Sequence, residues 1–318
     1  MSPLRMRVVI SEFMDEGAVA RLARQHDTRY DKSLVDQPAS LRKELVSADA
    51  LIVRNRTQVD RGLLAAAPVL KVVGRLGVGL DNIDVVACDE RRIEVIPATG
   101  ANALAVAEYV IGTALFLLRG AYASSTAVAN GEWPRPALSN GRELAGKTLG
   151  VVGFGGIGRL AGRLARALGM RVIGFDSQIG PSSDVWNTEQ AAARELDALL
   201  AEADVVTLHV PLVAETRHLI DAARLARIKP GAILINTSRG GVVDEAAVAA
   251  ALRANRLGGA ALDVFEQEPL AAGSPLAGCP NLLLTPHIAG VTAESNVRVS
   301  TLIAEKVAAA LASIRAGP

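Results

Sequence analysis

The chain has 318 residues, with 34 basic against 33 acidic side chains, and half of it is hydrophobic while only 3% is aromatic. That length admits two domains, whose cores must be built from Ala, Val, Leu and Ile. A near-zero net charge argues against a nucleic-acid partner or a polybasic membrane anchor, and the two cysteines, Cys88 and Cys279, fit no metal-ligand or CxxC spacing.

The opening Met1-Ser-Pro-Leu-Arg-Met-Arg-Val-Val-Ile has too short an apolar run for a signal peptide. Strands are expected near Arg7–Ile10, Thr28–Tyr30, Ala50–Arg54, Lys71–Arg75 and Glu94–Pro97, separated by helices such as Gly17–Gln25 and Leu41–Ser47. The longest apolar stretch, Ala103–Leu118, is interrupted by Glu108 and is too short to span a bilayer, so it is expected as a helix buried in a core or against another subunit. No membrane contact and no metal are expected, and the location is expected to be cytoplasmic. A polar connector, Asn130–Arg142, carries Trp133. Six strands follow: Leu149–Phe154, Val172–Asp176, Val205–Val210, Ala232–Asn236, Ala260–Phe265 and Leu282–Thr285. The last helix, about Ala293–Ile314, presents Val297, Leu302, Ile303, Val307 and Leu311. With no strand left to cover, it is expected to return to the first domain. No internal repeat is evident. Strand–helix alternation of this kind belongs to parallel sheets covered on both faces.

The strongest local signal is Gly153-x-Gly155-x-x-Gly158, between an apolar strand and a helix, with a second strand ending in Asp176. Gly153 permits the tight turn, Gly155 lets backbone approach a pyrophosphate, and Gly158 lets helix pack on sheet. The N–H groups at the helix start face the diphosphate charge. An acid about 20 residues beyond the glycines accepts the ribose hydroxyls, so the segment predicts a dinucleotide site.

Four histidines are candidates for proton transfer beside such a cofactor. His26 ends an early helix, where the helix dipole or plain exposure explains it. His209 lies at a strand end, as a cofactor-lining or structural residue, and His218 stands in a polar, exposed context. His287 follows the sixth strand, at the carboxyl edge where open α/β sheets bind ligands. Arg239 and Glu268 each follow another strand of the same sheet. An arginine can grip a carboxylate in bidentate fashion, and a carboxylate against one imidazole nitrogen fixes the tautomer of a histidine.

The segments Val-Val-Gly-Phe-Gly-Gly-Ile-Gly, Asn-Thr-Ser-Arg-Gly-Gly-Val-Val-Asp-Glu, Ala-Leu-Asp-Val-Phe-Glu-x-Glu-Pro and Leu-Thr-Pro-His-Ile-Ala-Gly resemble the signatures of the D-isomer-specific 2-hydroxyacid dehydrogenases. The resemblance implies an α/β chain of two doubly wound parallel-sheet domains. Residues 100–287 would form a Rossmann NAD-binding domain, and 1–99 with 288–318 a discontinuous flavodoxin-like substrate domain. Arg239, Glu268 and His287 would be the catalytic set and NAD the cofactor. Val78, Gly153, Gly155, Gly156, Ile157, Gly158, Asp176, His209, Val210, Pro211, Thr237, Ser238, His287 and Gly290 would line the cofactor, with Asp263 on the nicotinamide carboxamide. The family also implies a homodimer joined through the nucleotide domain, with about 102–142 at the interface.

In the first domain, the stretch from Gly74 to Asp84 resembles the family's substrate loop, so Arg75, Gly77, Val78 and Gly79 are expected to hold a carboxylate with Arg239. Arg54 matches the position where 3-phosphoglycerate dehydrogenases direct an arginine at phosphate, and Arg56 departs from their small residue. Three cations exceed the need of a monocarboxylate, and they predict a second anion on the substrate, phosphate or sulfonate. The stretch from Glu12 to Val59 most resembles sulfolactate dehydrogenases. The alternatives are a 3-phosphoglycerate dehydrogenase, a glyoxylate or hydroxypyruvate reductase and, from another class, an NAD(H)-sensing corepressor.

Overall fold

The computed structural model describes residues 5–316, so the reading of Met1–Leu4 lies outside the described residues. The chain divides into two compact units, Met1–Asn102 with Val291–Pro318, and Ala103–Gly290.

The first unit holds β1 (Arg7–Ile10), β2 (Asp27–Tyr30), β3 (Ala50–Val53), β4 (Val72–Arg75) and β5 (Glu94–Pro97). They form one parallel sheet in the order β2-β1-β3-β4-β5. Strand alternation sends Val9, Leu51 and Val73 to one face, against Leu41, Leu45 and Leu64. Val8, Ile10, Ile52 and Val72 go to the other, against Leu22 and Val299, Ile303, Val307 and Leu311 of the terminal helix Ala293–Ala316. The helix lies so close at Gly74 that a Cβ there would meet Val307 at 2.8 Å and Ile303 at 2.9 Å. Two expectations fail in this unit. Val297 is exposed, because the buried stripe of the helix runs through Val299, Ile303 and Val307. His26 is buried, not solvated: packing around the helix end encloses both ring nitrogens without a hydrogen-bond partner, and burial pulls the pKa of the ring down.

The second unit holds β6 (Thr148–Val152), β7 (Arg171–Phe175), β8 (Ala192–Ala193), β9 (Val205–Leu208), β10 (Ile233–Asn236), β11 (Gly259–Leu262) and β12 (Leu282–Leu284). All pair in parallel, in the order β12-β11-β10-β9-β6-β7-β8. The sheet thus has seven strands where six were expected, since two residues are too few to show a period. One face packs Leu149, Val151 and Ile235 under helix Ala103–Arg119 and helix Gly156–Ala167. The other packs Val206, Leu208 and Leu234 under Leu199, Leu225 and Val248. Strand order reverses at β6/β9, the kind of switch point at whose carboxyl edge ligands bind.

A repeat absent from the sequence is present in the fold, because β7-β6-β9-β10-β11 reproduces the order β2-β1-β3-β4-β5. Its lock is repeated too. Asp49, just before β3, accepts the N–H of Arg7 at 2.9 Å and pairs with Lys71 at 3.0 Å. Asp204, just before β9, accepts the N–H of Thr148 at 2.9 Å and pairs with Lys229 at 2.8 Å. Among the described residues, no single helix is long and apolar enough to cross a membrane.

Candidate active site

At the carboxyl edge of β6 the three glycines occupy the positions their spacing predicts. Gly153 has φ +91°, and a Cβ there would lie 2.5 Å from the carbonyl oxygen of His209. Gly158 has its Cα hydrogen against the carbonyl of Gly153, where a Cβ would come within 2.3 Å. Nothing stands within 4 Å of a Cβ at Gly155 or Gly156, and no side chain caps the helix that begins there. Uncapped N–H groups facing open space suit an anionic phosphate. At the end of β7, Asp176 accepts the N–H of Phe154 through Oδ2 and that of Gln178 through Oδ1, both at 2.8 Å. His209 sits beneath the glycine turn, its Nε2 3.0 Å from Thr207 Oγ1, and burial lowers its pKa to about 4, so its ring is neutral.

The loop after β10 is built by Asn236, which the sequence reading did not single out. Its buried Oδ1 accepts both the N–H and the hydroxyl of Ser238, at 3.0 and 2.7 Å, and its Nδ2 donates to the carbonyl of Arg239 at 2.9 Å. A buried asparagine facing the turn of Thr-Ser-Arg-Gly is the signal that could have revealed it. The Oγ1 of Thr237 is buried with no partner in the protein, as fits a residue lining a ligand. Gly240 brings this loop onto the one after β11. A Cβ there would lie 1.7 Å from the carbonyl oxygen of Phe265, so no larger residue fits.

Glu268 Oε1 accepts the N–H of Phe265 at 3.1 Å, and Oε2 lies 2.8 Å from Nδ1 of His287. With Nδ1 engaged, Nε2 is the ring atom left to exchange a proton. His287 adopts φ +55°, and its N–H donates to the carbonyls of Asp263 at 2.8 Å and Thr285 at 3.0 Å. Asp263, 2% exposed, accepts the N–H of Ile288 and the hydroxyl of Thr285 at Oδ1, and the N–H of Ala289 at Oδ2. It therefore holds the backbone that carries His287. Tyr109, unremarked in the sequence, places its hydroxyl 2.6 Å from Thr285 Oγ1. His218, for its part, pairs with Glu266 at 3.1 Å.

In the first unit, β3 ends at Val53, so strand alternation does not carry Arg54 and Arg56 to a common face. Buried Glu12 accepts the N–H groups of Arg54, Arg56 and Thr57 at 2.8, 3.1 and 3.0 Å, and Asn82 donates to the carbonyls of Arg54 and Thr57 at 3.3 and 2.7 Å. The turn 54–57 is thus clamped on both its donors and its acceptors. Arg54 is half-buried, donates to Asn296 Oδ1 at 2.9 Å and lies over the ring of Phe13 at 5.9 Å. Desolvation lowers its pKa. Arg56 is exposed and bonded to Asp36. The guanidinium of Arg75 folds back over Gly77, where a Cβ would lie 1.5 Å from its Nη1, and donates to the carbonyl of Leu76 at 3.2 Å. Val78 is exposed beside it. Among the described residues, no cluster of three or more His, Cys, Asp or Glu could hold a metal ion.

Comparison with known proteins agrees with this geometry. Residues 111–289 match the family model of the D-isomer specific 2-hydroxyacid dehydrogenase NAD binding domain. The chain is 56% identical over 304 residues to an (S)-sulfolactate dehydrogenase of Chromohalobacter salexigens, covering 96% of this chain and 98% of the relative. It is 37% identical over 304 residues to a D-3-phosphoglycerate dehydrogenase of Archaeoglobus fulgidus, covering 95% of this chain but 56% of that longer protein. A crystal structure of a Thermus thermophilus protein superposes with a TM-score of 0.86 at 35% identity, over 96% of this chain and 97% of the other. The chain belongs to the D-isomer-specific 2-hydroxyacid dehydrogenases and is an NAD-dependent oxidoreductase.

Proposed function

We propose that the substrate is a 2-hydroxy or 2-oxo acid bearing a second strong anion, with sulfolactate and sulfopyruvate as the pair of choice. The observation that carries this reading is Arg54. It is a half-buried guanidinium on a clamped turn, bonded to a neutral amide, with no carboxylate at ion-pair distance among the described residues. A desolvated cation in that position favours an anion that reaches it. The similarity to an (S)-sulfolactate dehydrogenase over nearly the full length of both chains supports sulfonate, and the phosphoglycerate dehydrogenase makes phosphate the alternative.

In this reading the unit of residues 103–290 is the NAD-binding domain and the other unit binds the substrate's second anion. Arg239 grips the carboxylate and polarises the C2 oxygen, as the bidentate reach of arginine allows. NAD supplies the hydride acceptor for C2. As the hydride leaves, the hydroxyl proton passes to Nε2 of His287, whose ring Glu268 orients through Nδ1. Within the first unit, Arg75, Gly77, Val78 and Gly79 are proposed as substrate-binding residues beside Arg54, and Arg56, engaged by Asp36, contributes least.

The protein is also proposed to be a cytoplasmic homodimer. Leu104, Leu115, Tyr122, Val128 and Trp133 all expose large apolar surface within 102–142, with Trp133 74% exposed. Light scattering behind size exclusion tests the dimer, and a monomer at micromolar concentration would refute it. The substrate is tested by following NADH oxidation with sulfopyruvate, phosphohydroxypyruvate, hydroxypyruvate and glyoxylate. The highest kcat/KM is expected with sulfopyruvate. A preference for glyoxylate over both dianions would overturn the reading.

A further inference from the structure

We propose that Tyr109, on helix Ala103–Arg119, is a positioning residue that holds His287 in its working conformation through a hydroxyl relay, Tyr109 to Thr285 to Asp263. The inference rests on the role given to His287 above.

The direction of the relay follows from the chemistry of its members. Thr285 Oγ1 lies 2.6 Å from the Tyr109 hydroxyl and 2.6 Å from Asp263 Oδ1. A carboxylate only accepts, so the single hydroxyl proton of Thr285 is committed to Asp263. Thr285 must then accept from Tyr109, and the phenol is the donor. Burial raises the pKa of Tyr109, which keeps that proton in place at neutral pH. No member of the chain has an alternative orientation that preserves both bonds.

The relay ends on the backbone that carries the histidine. Asp263 receives the N–H groups of Ile288 and Ala289 on its carboxylate and that of His287 on its carbonyl. These bonds hold three consecutive residues and sustain the left-handed φ of +55° at His287. Such a conformation persists in a non-glycine residue only where its surroundings over-determine it. It is also the conformation in which Nδ1 meets Glu268 at 2.8 Å. Removing the phenol hydroxyl frees Thr285 to turn from Asp263, which loosens the loop without touching the imidazole.

The test compares Tyr109→Phe, Thr285→Val, Thr285→Ser and the double variant Tyr109→Phe/Thr285→Val in the NADH-loaded enzyme. Tyr109→Phe is expected to lower kcat about 3- to 10-fold, the size of one neutral hydrogen bond, while KM for the 2-oxo acid changes less than about twofold. Thr285→Val is expected to match or exceed that loss, Thr285→Ser to restore most of it, and the double variant to equal Thr285→Val alone. The imidazole resonances of His287 in the isotope-labelled protein are expected to shift in Tyr109→Phe. An unchanged kcat in folded Tyr109→Phe, or multiplicative losses in the double variant, would overturn the proposal. His287→Ala, measured alongside, separates the two levels. If that variant keeps wild-type kcat, the role of His287 fails; if it loses activity while Tyr109→Phe does not, only the relay fails.

Discussion

Asp176 reaches back across the carboxyl edge of the sheet and accepts the N–H of Phe154, inside the glycine turn, at 2.8 Å. The bond ties the end of β7 to the turn after β6, so the carboxylate proposed to select the ribose is fixed to the loop proposed to receive the pyrophosphate. Each oxygen keeps a lone pair for a ribose hydroxyl.

A carboxylate in that position bonds a free 2′-hydroxyl and repels a 2′-phosphate, and Ser177 and Gln178 bring no compensating cation. A clear preference for NAD over NADP in kcat/KM is therefore expected. Asp176→Ser is expected to narrow it by about 10- to 150-fold, corresponding to about 1.5–3 kcal/mol for a hydrogen bond to a charged group. Equal use of both cofactors by the unaltered enzyme would contradict this.

The His287–Glu268 contact makes a second prediction. His287→Ala is expected to lower kcat by a factor on the order of 10² to 10⁴, with NADH binding by fluorescence titration nearly intact. Glu268→Gln retains the shape but not the charge beside Nδ1, and it is expected to lower kcat by a smaller factor. If Glu268→Gln shows full activity, Glu268 serves only the N–H of Phe265.

These residues were legible because their signals are local. A strand, a glycine turn and a helix fit within about 30 contiguous residues, and Arg239, Glu268 and His287 each announce themselves just past a strand end. The supports were not legible, because they join distant positions. Tyr109 and Thr285 lie 176 residues apart, and nothing about a tyrosine in an apolar helix signals a hydroxyl partner. Glu12 looks like an ordinary loop acid until the fold sets it against the turn 54–57, more than 40 positions away. His26 failed for the same reason: a helix-end histidine is solvated or buried according to its tertiary neighbours. Whether Arg54 and Arg56 share a face turns on one local detail, the end of the strand, which the sequence placed at Arg54 and the structure places at Val53.

A third prediction concerns pH. Burial holds the His209 ring at a pKa of about 4, against 6.5 for the free side chain. Between those values the unfolded chain takes up a proton that the folded protein does not, so stability declines as pH falls from about 6.5 towards 4. His26, also lowered by burial, acts in the same direction. His209→Gln is expected to lessen the fall in Tm between pH 7 and pH 5 without abolishing it. An identical fall in both proteins would show that the His209 ring is solvated.

The fourth prediction separates two neighbouring arginines. Arg54 is half-buried against Phe13 and Asn296, on a turn clamped by Glu12 and Asn82, whereas Arg56 is exposed and taken up by Asp36. An exposed ion pair contributes little, and a solvated arginine offers an anion little that water does not. Loss of one charge-assisted contact costs about 1.5–3 kcal/mol, or roughly 10- to 150-fold in kcat/KM. Arg54→Ala is expected to impair sulfopyruvate reduction by about that factor and to leave glyoxylate, which has no second anion, within about threefold of wild type. Arg56→Ala is expected to change neither by more than about threefold. Lys at position 54 is the informative control, since it keeps the charge but not the planar fork, and partial recovery on the dianion alone would confirm that charge is what the substrate meets. Equal losses on glyoxylate and the dianion in Arg54→Ala would instead assign Arg54 to the packing of Phe13 and Asn296, and the case for a dianionic substrate would lose its main physical support.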